Sequence, residues 1–512
     1  MATIIDNVPE VLFSTADDPA SAQRVSRLAR AGRLRKIHAG IYTPNLDGPL
    51  ETIVARNWRS IAGHLYPGAV IGYRSAVKAS PDAGKLILVQ GARAKRTRLP
   101  GLELVVVPGA AAVTDGATPD VPYPPLFLAS EPRRMLENLA TRRGAAERTL
   151  GQEAIESELA KILTLRGELR LNTLRDQARK LAPRLELEPE FKKLDAIVGA
   201  LLGTHAAKKL RTHDARARAA GRPYDPDHTA VFDVLFAALH QTKFEHVPDP
   251  ARTPRAVENF AFFEAYFSNY IEGTTFTVDE AEDIVFQGRI IERRSEDSHD
   301  ILGTFRAITS APWRSSPPSG AEAFLAWVKG VNALVMQSRA DKDPGEWKIE
   351  PNRAGDTHFV LPELVPGTLR EGFARTQALA EPLARALMTM FVVAEVHPFA
   401  DGNGRTARIA MNAHLTEAGL SRVMIPTVYR EDYLLPLKAL SQNREPAAYI
   451  RSMMRAQRWS AAFDFDQDVR KVREDLATCN AFREDIRNFR LVFPERRAAG
   501  EPSPGGAGGF GL

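Results

Sequence analysis

Twelve residues, His397 through Arg408 (HPFADGNGRTAR), bring together an imidazole, a carboxylate, an amide, two glycines and two arginines. His397 is the one side chain of the stretch that titrates near neutrality, so it can take the proton of an attacking hydroxyl. Asp401 can hold Mg2+, which takes oxygen ligands and often a single carboxylate together with substrate phosphates. Gly402 and Gly404 let backbone approach phosphate without a Cβ in the way. Asn403 and the neighbouring amides can stabilise charge on an α-phosphate. Arg405 and Arg408 carry planar positive forks suited to phosphate oxygens. Phe399 brings no chemistry of its own and reads as a core anchor that sets the loop around the bound group. These are parts for handling a nucleoside triphosphate and activating a hydroxyl.

Two helices must position them. Residues 381–396 carry Leu383, Leu387, Met390, Phe391 and Ala394 at helical spacing, and Pro398 disfavours helical geometry at His397, so a helix should end there. A second helical pattern runs from about Arg405 through Ile409, Ala413 and Leu415 to Gly419, a fitting residue for the position after a helix end. Residues 401–404 are then a glycine-bearing loop feeding a helix N-terminus, where free amides and the helix dipole favour an anion.

The segment resembles the core motif of the Fic family, HxFx(D/E)GNGRxxR, at every specified position. That resemblance implies an α-helical domain that transfers AMP from ATP to a protein hydroxyl, with Mg2+ as cofactor. It places Arg408 on the γ-phosphate and Arg405 near the β-phosphate. Glu346–Pro362 reads as a hairpin, with Trp347-Lys348-Ile349 and His358-Phe359-Val360 as its strands and a turn between 352 and 356. It looks like the Fic flap, which would dock an extended target segment along Trp347, Ile349 and Phe359 by strand addition. With Pro426–Arg430 and Tyr433–Leu440, the resemblance covers roughly residues 255–460.

Upstream, Ser268-Asn269-Tyr270-Ile271-Glu272-Gly273 closes a helical pattern rich in aromatics: Phe260, Phe263, Phe267 and Tyr270. A carboxylate at a helix C-terminus opposes the helix dipole. The stretch is similar to the Fic inhibitory motif (S/T)xxxE(G/N), carried here by Ser268, Glu272 and Gly273. The resemblance implies that Glu272 pairs with Arg408, withholds it from the γ-phosphate and keeps the chain auto-inhibited.

The N-terminal third has another character. Arg24, Arg27, Arg30, Arg33, Arg35 and Lys36 cluster without an intervening acid. A helix over 20–31, ended by Gly32, precedes a hairpin over 34–42. Helix, basic hairpin and aromatic residue suit a winged helix on duplex DNA, with Arg24, Arg27, Arg33, Arg35 and Lys36 as candidate contacts. This part, with Gly68–Ala76, Lys85–Gln90 and Tyr123–Leu139, resembles the AbiEi-type antitoxin and regulator family. A solvated basic helix is the plainer reading of such a charge run.

The 512 residues predict two to four domains, with 44% hydrophobic and 26% charged residues, ordinary for a globular chain. The formal net charge of +5 does not by itself imply nucleic acid. One cysteine, Cys479, excludes a disulfide framework or a cysteine-cluster zinc site and fits a reducing cytosol. No apolar run reaches membrane-spanning length, and residues 1–10 lack a signal-peptide profile. The end, residues 496–512, is rich in Gly, Pro and Ala and reads as disordered.

The expected fold class is therefore mainly α: a Fic-like domain with a small β-hairpin flap and an N-terminal α+β winged-helix-like module. The expected divisions are an AbiEi-like winged helix (1–140), a helical connector (141–250), a Fic domain with inhibitory helix (251–460) and a C-terminal helix and tail (461–512). The expected activity is Mg2+-dependent adenylylation of a Ser, Thr or Tyr hydroxyl. The partners would be ATP, a target protein (the chain itself included) and duplex DNA, in the cytoplasm and with no membrane. Transfer of another phosphate-bearing group is the alternative chemistry; both glycines of the motif favour AMP. A DNA-binding regulator or toxin–antitoxin component whose Fic domain senses nucleotide is the alternative class. An intact His397 argues against it, since sensing needs no base.

Overall fold

The computed structural model describes residues 9–14, 19–141, 144–315 and 317–494, which divide into two compact units at Gly221/Arg222. The Gly/Pro/Ala-rich end lies outside the described residues. No helix among them is long and apolar enough to cross a membrane.

The first unit joins a β-rich part to a helical part. A three-stranded antiparallel sheet places Ile41–Thr43 between Leu12–Phe13 and Arg35–His38. A six-stranded mixed sheet follows, in the order Lys95–Leu99, Leu102–Val107, Lys85–Val89, Val70–Ile71, Leu126–Leu128, Val121–Tyr123. Its inner strands are buried on both faces. Leu86, Leu88, Leu104 and Val106 pack under the helix Leu50–Leu65, whereas Ile87, Val105 and Val107 form a cluster on the opposite face. The two-residue period of a strand produces this split. The helical part is built on Gly151–Leu185, broken at Gly167 (φ 75°), and Glu188–Leu201, which share a leucine-rich core.

The helix Pro19–Arg30 and the hairpin Arg35–His38/Ile41–Thr43 fall where the sequence places them. A helix–turn–helix needs a second helix. Among the described residues only Pro19–Arg30 precedes the hairpin, so that pair is not assembled there.

The second unit, residues 222 onward, is helical around one continuous core. Pro382–Val396 runs through its middle: Leu383, Leu387, Met390, Phe391 and Val393 are each at most 1% exposed, and a helix apolar all round must be buried. It packs most extensively against Asn403–Glu417. The helix Pro254–Ile271 is capped by the Thr253 hydroxyl, which accepts from the Ala256 N–H at 3.1 Å, with Pro254 in the first turn. Its Phe260, Phe263 and Phe267 are at most 1% exposed.

Two expected boundaries move. The connector expected over 141–250 is not one piece. Its helix Pro226–Gln241 belongs to the second unit, where Phe232 meets Phe391 edge-on at 6.1 Å between centroids. The helix Val469–Thr478 also joins this core through Val472 and Leu476, so the unit continues past 460. Both shifts have one cause: an amphipathic helix goes where its apolar stripe is covered, and local sequence does not say which neighbour covers it.

Candidate functional site

The motif loop is held by its own side chains. The helix Pro382–Val396 stops at His397, which adopts left-handed geometry (φ 52°, ψ 60°) and donates its N–H to the Val393 carbonyl at 3.1 Å. Left-handed backbone at a residue with a side chain is strained, on the order of 1–3 kcal/mol, and persists where the surroundings enforce it. The enforcement is visible. Asn403, 1% exposed, accepts from the Phe399 N–H and donates to the Phe399 carbonyl, both at 2.9 Å. Its side chain closes the loop, so of the expected phosphate contacts only backbone amides remain to it. Phe399 is fully buried and stacks on Trp347 at 5.2 Å, the anchor its type suggests. Gly402 (φ 77°) starts the helix Asn403–Glu417 and its carbonyl accepts from Thr406, leaving the preceding amides without intrahelical acceptors.

From outside the motif, Asn332 ties the loop down. Its amide donates to the Asp401 carbonyl and accepts from the Gly345 N–H, both at 2.9 Å, at 1% exposure. Asp300 does the same from below. Its buried carboxylate takes Arg405 at 2.8 Å and Arg339 at 2.8 Å. Arg405, 3% exposed, anchors the helix start to Asp300, so its charge is already paired within the protein. Asp401 remains half-buried, 42% of its side chain exposed, with Oδ1 accepting from the Gly402 N–H at 2.6 Å.

Arg408 is the hub. It is 5% exposed and its Nε donates to the Ser268 hydroxyl at 2.9 Å. Its Nη2 donates to the Ser268 carbonyl at 2.9 Å and to Glu272 Oε1 at 2.6 Å. The Tyr433 hydroxyl contacts it as well. Burial alone would raise the Glu272 carboxyl; the charge and hydrogen bond of Arg408 overcome this and hold it below its ordinary value. Gly273 (φ 95°) supplies the left-handed turn that ends the helix after Glu272. Gly404 is equally constrained: a Cβ there would stand 2.2 Å from Glu272 Oε1. The motif's second glycine thus makes room for the upstream carboxylate.

His397, Gly404, Arg408, Glu272, Phe359 and Tyr433 line one cavity of about 360 Å³. Burial lowers the His397 pKa to about 4, so the imidazole is neutral at pH 7 and can accept a proton. Its ring lies parallel to Phe359 at 3.9 Å. The hairpin is shorter than the sequence suggests: Arg353–Ala354 pairs with Thr357–His358 around Gly355-Asp356. Trp347-Lys348-Ile349 is not a strand. The Trp347 ring packs on Phe399 and the Lys348 N–H bonds the Pro398 carbonyl at 2.9 Å, while Ile349 is 84% exposed. Lys348 Nζ is buried against Asn352 Oδ1 at 2.6 Å, and burial lowers its pKa to about 7. Asn332, Asp300 and Lys348 were not found by sequence reasoning.

The wall behind His397 holds a further titratable pair. His228 meets Glu395 at 3.0 Å, and Ser441 donates to the same carboxylate at 3.1 Å. In the first unit, Arg24, Arg27, Arg33 and Lys36 are exposed. Arg35 is not a free cation: it donates to the Leu46 and Gly48 carbonyls at 2.9 and 2.7 Å and braces the hairpin.

Among the described residues no three acidic, His or Cys side chains form a metal-binding group. A cation at Asp401 would therefore take its other ligands from substrate phosphates and water, which is how Mg2+ is commonly bound.

Two outcomes follow from this geometry. Asn332→Ala leaves the Gly345 N–H and the Asp401 carbonyl unpaired and should cost on the order of 1–3 kcal/mol in urea unfolding; an unchanged midpoint would contradict the anchoring role. For His228, burial lowers the pKa, but Glu395, Asp225 and Asp227 together raise it above the ordinary value. Its stabilising contribution is thus complete below about pH 6.5 and disappears as pH rises through the raised folded-state value. The melting-temperature gap between wild type and His228→Gln should shrink over that rise; a gap independent of pH would refute it.

Comparison with known proteins agrees with this site. Residues 324–415 match the Fic/DOC family. Protein adenylyltransferase fic-1 of Caenorhabditis briggsae is 24% identical over 221 residues, 42% of this chain and 43% of that protein. Protein adenylyltransferase Fic of Drosophila melanogaster is 27% identical over 201 residues, 37% of this chain and 39% of that protein. The chain thus spans about two fifths of the length of the curated relatives it matches. Among solved structures, a fragment of Fic-1 from C. elegans aligns with 64% of this chain and 94% of its own, at 16% identity and a TM-score of 0.36. The stretch that holds the motif and the helices beside it is similar to a Fic/DOC domain.

Proposed function

We propose that this chain is a protein adenylyltransferase held in check by its own Glu272. The observation that carries the reading is that His397 and Arg408 face one cavity while Glu272 and Ser268 occupy the guanidinium of Arg408. The adenylyltransferase names of the relatives support the chemistry. In the reaction the target hydroxyl oxygen attacks the α-phosphorus and its proton passes to the neutral imidazole of His397. The bond from the α-phosphorus to the bridging oxygen breaks, and pyrophosphate leaves. The amides at the start of Asn403–Glu417 would hold the phosphates, with Gly404 permitting close approach. Mg2+ at Asp401 would neutralise phosphate charge. Arg408 would take the γ-phosphate once Glu272 withdraws, because a charge-assisted bond to a carboxylate and one to a phosphate compete for the same donors.

Incubation with α-labelled ATP and cell lysate tests this. Glu272→Gly should raise label transfer by about tenfold or more, and adding Arg408→Ala should remove the gain. His397→Ala in the Glu272→Gly background should lower it by at least ~10²-fold, the usual weight of a general base. Equal transfer by wild type and Glu272→Gly would sink the brake; full transfer without His397 would sink the base.

A second reading, for the first unit, rests on one observation: the side chains of Arg24, Arg27, Arg30, Arg33 and Lys36 are exposed and make no hydrogen bond or ion pair among the described residues. Duplex DNA suits such a row, and the AbiEi-type resemblance of the sequence points the same way. The full chain should then shift duplex DNA in gels, with affinity falling steeply in salt, and Arg27→Ala/Arg33→Ala/Lys36→Ala should flatten that dependence. Absence of any complex at low salt would leave a solvated basic surface.

A further inference from the structure

A second cavity, of about 390 Å³, lies in the same unit and plays no part in the chemistry above. Three arginines border it. Arg451 and Arg455 stand one turn apart on the helix Pro446–Ser460, and Arg490 comes from the segment after the last helix. The only carboxylate on its wall is Asp432, and none of the three arginines forms an ion pair with it or with any other described acid. Arg451 makes no hydrogen bond at all among the described residues. Like charges at this spacing repel, and no described acid pairs with any of the three.

Arg455 and Arg490 are also held in place. Arg455 donates to the Leu491 carbonyl at 3.2 Å and lies over the Phe493 ring at 5.3 Å. Arg490 donates to the Ile486 and Phe489 carbonyls, and its own carbonyl accepts from Asn480 at 2.9 Å. The segment is pinned next to it by Trp459, whose indole N–H reaches the Val492 carbonyl at 3.0 Å. Carbonyl contacts use part of each guanidinium and leave its charge uncompensated. The structure thus presents two fixed cations and the free Arg451 fork around a volume within the range of small-ligand pockets.

We propose that this cavity binds a phosphate-bearing small molecule with at least two negative charges, such as a nucleoside phosphate or pyrophosphate. Arg451 supplies the free fork, with Arg455 and Arg490 as flanking cations. Asp432 would accept from a hydroxyl or amine where the ligand carries one. The site borders the active cavity through one helix, Arg430–Asn443: Asp432 and Pro436 face this cavity, while Tyr433, Leu437 and Ser441 face the other. The inference is independent of the adenylyltransferase reading.

Calorimetric titration of the full chain with inorganic pyrophosphate at low salt tests it, since both cavities could attract the probe. The proposal expects saturable binding by wild type, in which Glu272 already occupies Arg408. Arg451→Glu should weaken it at least tenfold, Arg451→Ala should weaken it less, and Arg408→Ala should leave it within about twofold. Both Arg451 variants alter an exposed side chain without partners, so an unchanged circular dichroism spectrum is expected and serves as the folding control. Absence of saturable binding by wild type would overturn the site. So would undiminished binding by Arg451→Glu, or binding lost in Arg408→Ala but kept in Arg451→Glu.

Discussion

Arg408 is a buried cation that must be satisfied, and the second unit is arranged to satisfy it. A guanidinium at 5% exposure cannot rely on water, and removing the partner of a buried charge is far more costly than losing an exposed pair. Ser268 gives it a hydroxyl and a carbonyl, Glu272 a carboxylate, Tyr433 a phenol. Ser268 and Glu272 lie one turn apart at the end of one helix, so a single rigid element delivers both contacts. Gly273 lets that helix stop directly after the carboxylate, and Gly404 leaves the gap that the carboxylate fills. A polyanion entering the cavity would meet an arginine whose donors are already engaged.

The loop before Arg408 is precise for similar reasons. Pro398 ends one helix, the Asn403 amide closes five residues into a turn, and Asn332 and Asp300 fasten that turn to two other helices. His397 keeps a strained backbone and a neutral ring as a result, stacked on Phe359 of the hairpin. Position, protonation state and access of the base are all set by packing around it. The buried, neutral imidazole is ready to accept a proton but would hold it weakly, so correct placement of the attacking hydroxyl matters more than basicity.

Much of this was legible because it is local. Proline after His397 announces the helix end, glycines at 402 and 404 announce close approach, and the resemblance of Ser268–Gly273 to the Fic inhibitory motif points to the carboxylate that reaches Arg408. What was not legible depends on distant partners. Nothing near Arg405 in the chain says that Asp300 will neutralise it, so a phosphate contact was the natural expectation for a buried anchor. Asn403 is a local exception: its amide reads as a group that stabilises phosphate charge, yet both its polar atoms go to Phe399 four residues back. Arg35 alternates with Arg33 and Lys36 in a basic run, and only the fold shows its donors turned to the carbonyls of 46 and 48. The hairpin strands were set too far apart because Trp347 and Ile349 have strand-like types, whereas Trp347 is claimed by Phe399. The strand Leu102–Val107, second from the edge of its sheet and apolar except at Glu103, offers no regular alternation to read.

The proposed brake has Glu272 competing with the terminal phosphate of ATP for Arg408. The ratio of ATP to ADP affinity reads that competition directly, because only ATP carries the contested group. Measured by calorimetry in the His397→Ala background, where transfer is suppressed, the ratio should be near one with Glu272 present. It should rise by about tenfold, or ~1.4 kcal/mol, in the Glu272→Gly protein. An equal ratio in the two proteins would show that Glu272 does not contest the γ-phosphate site.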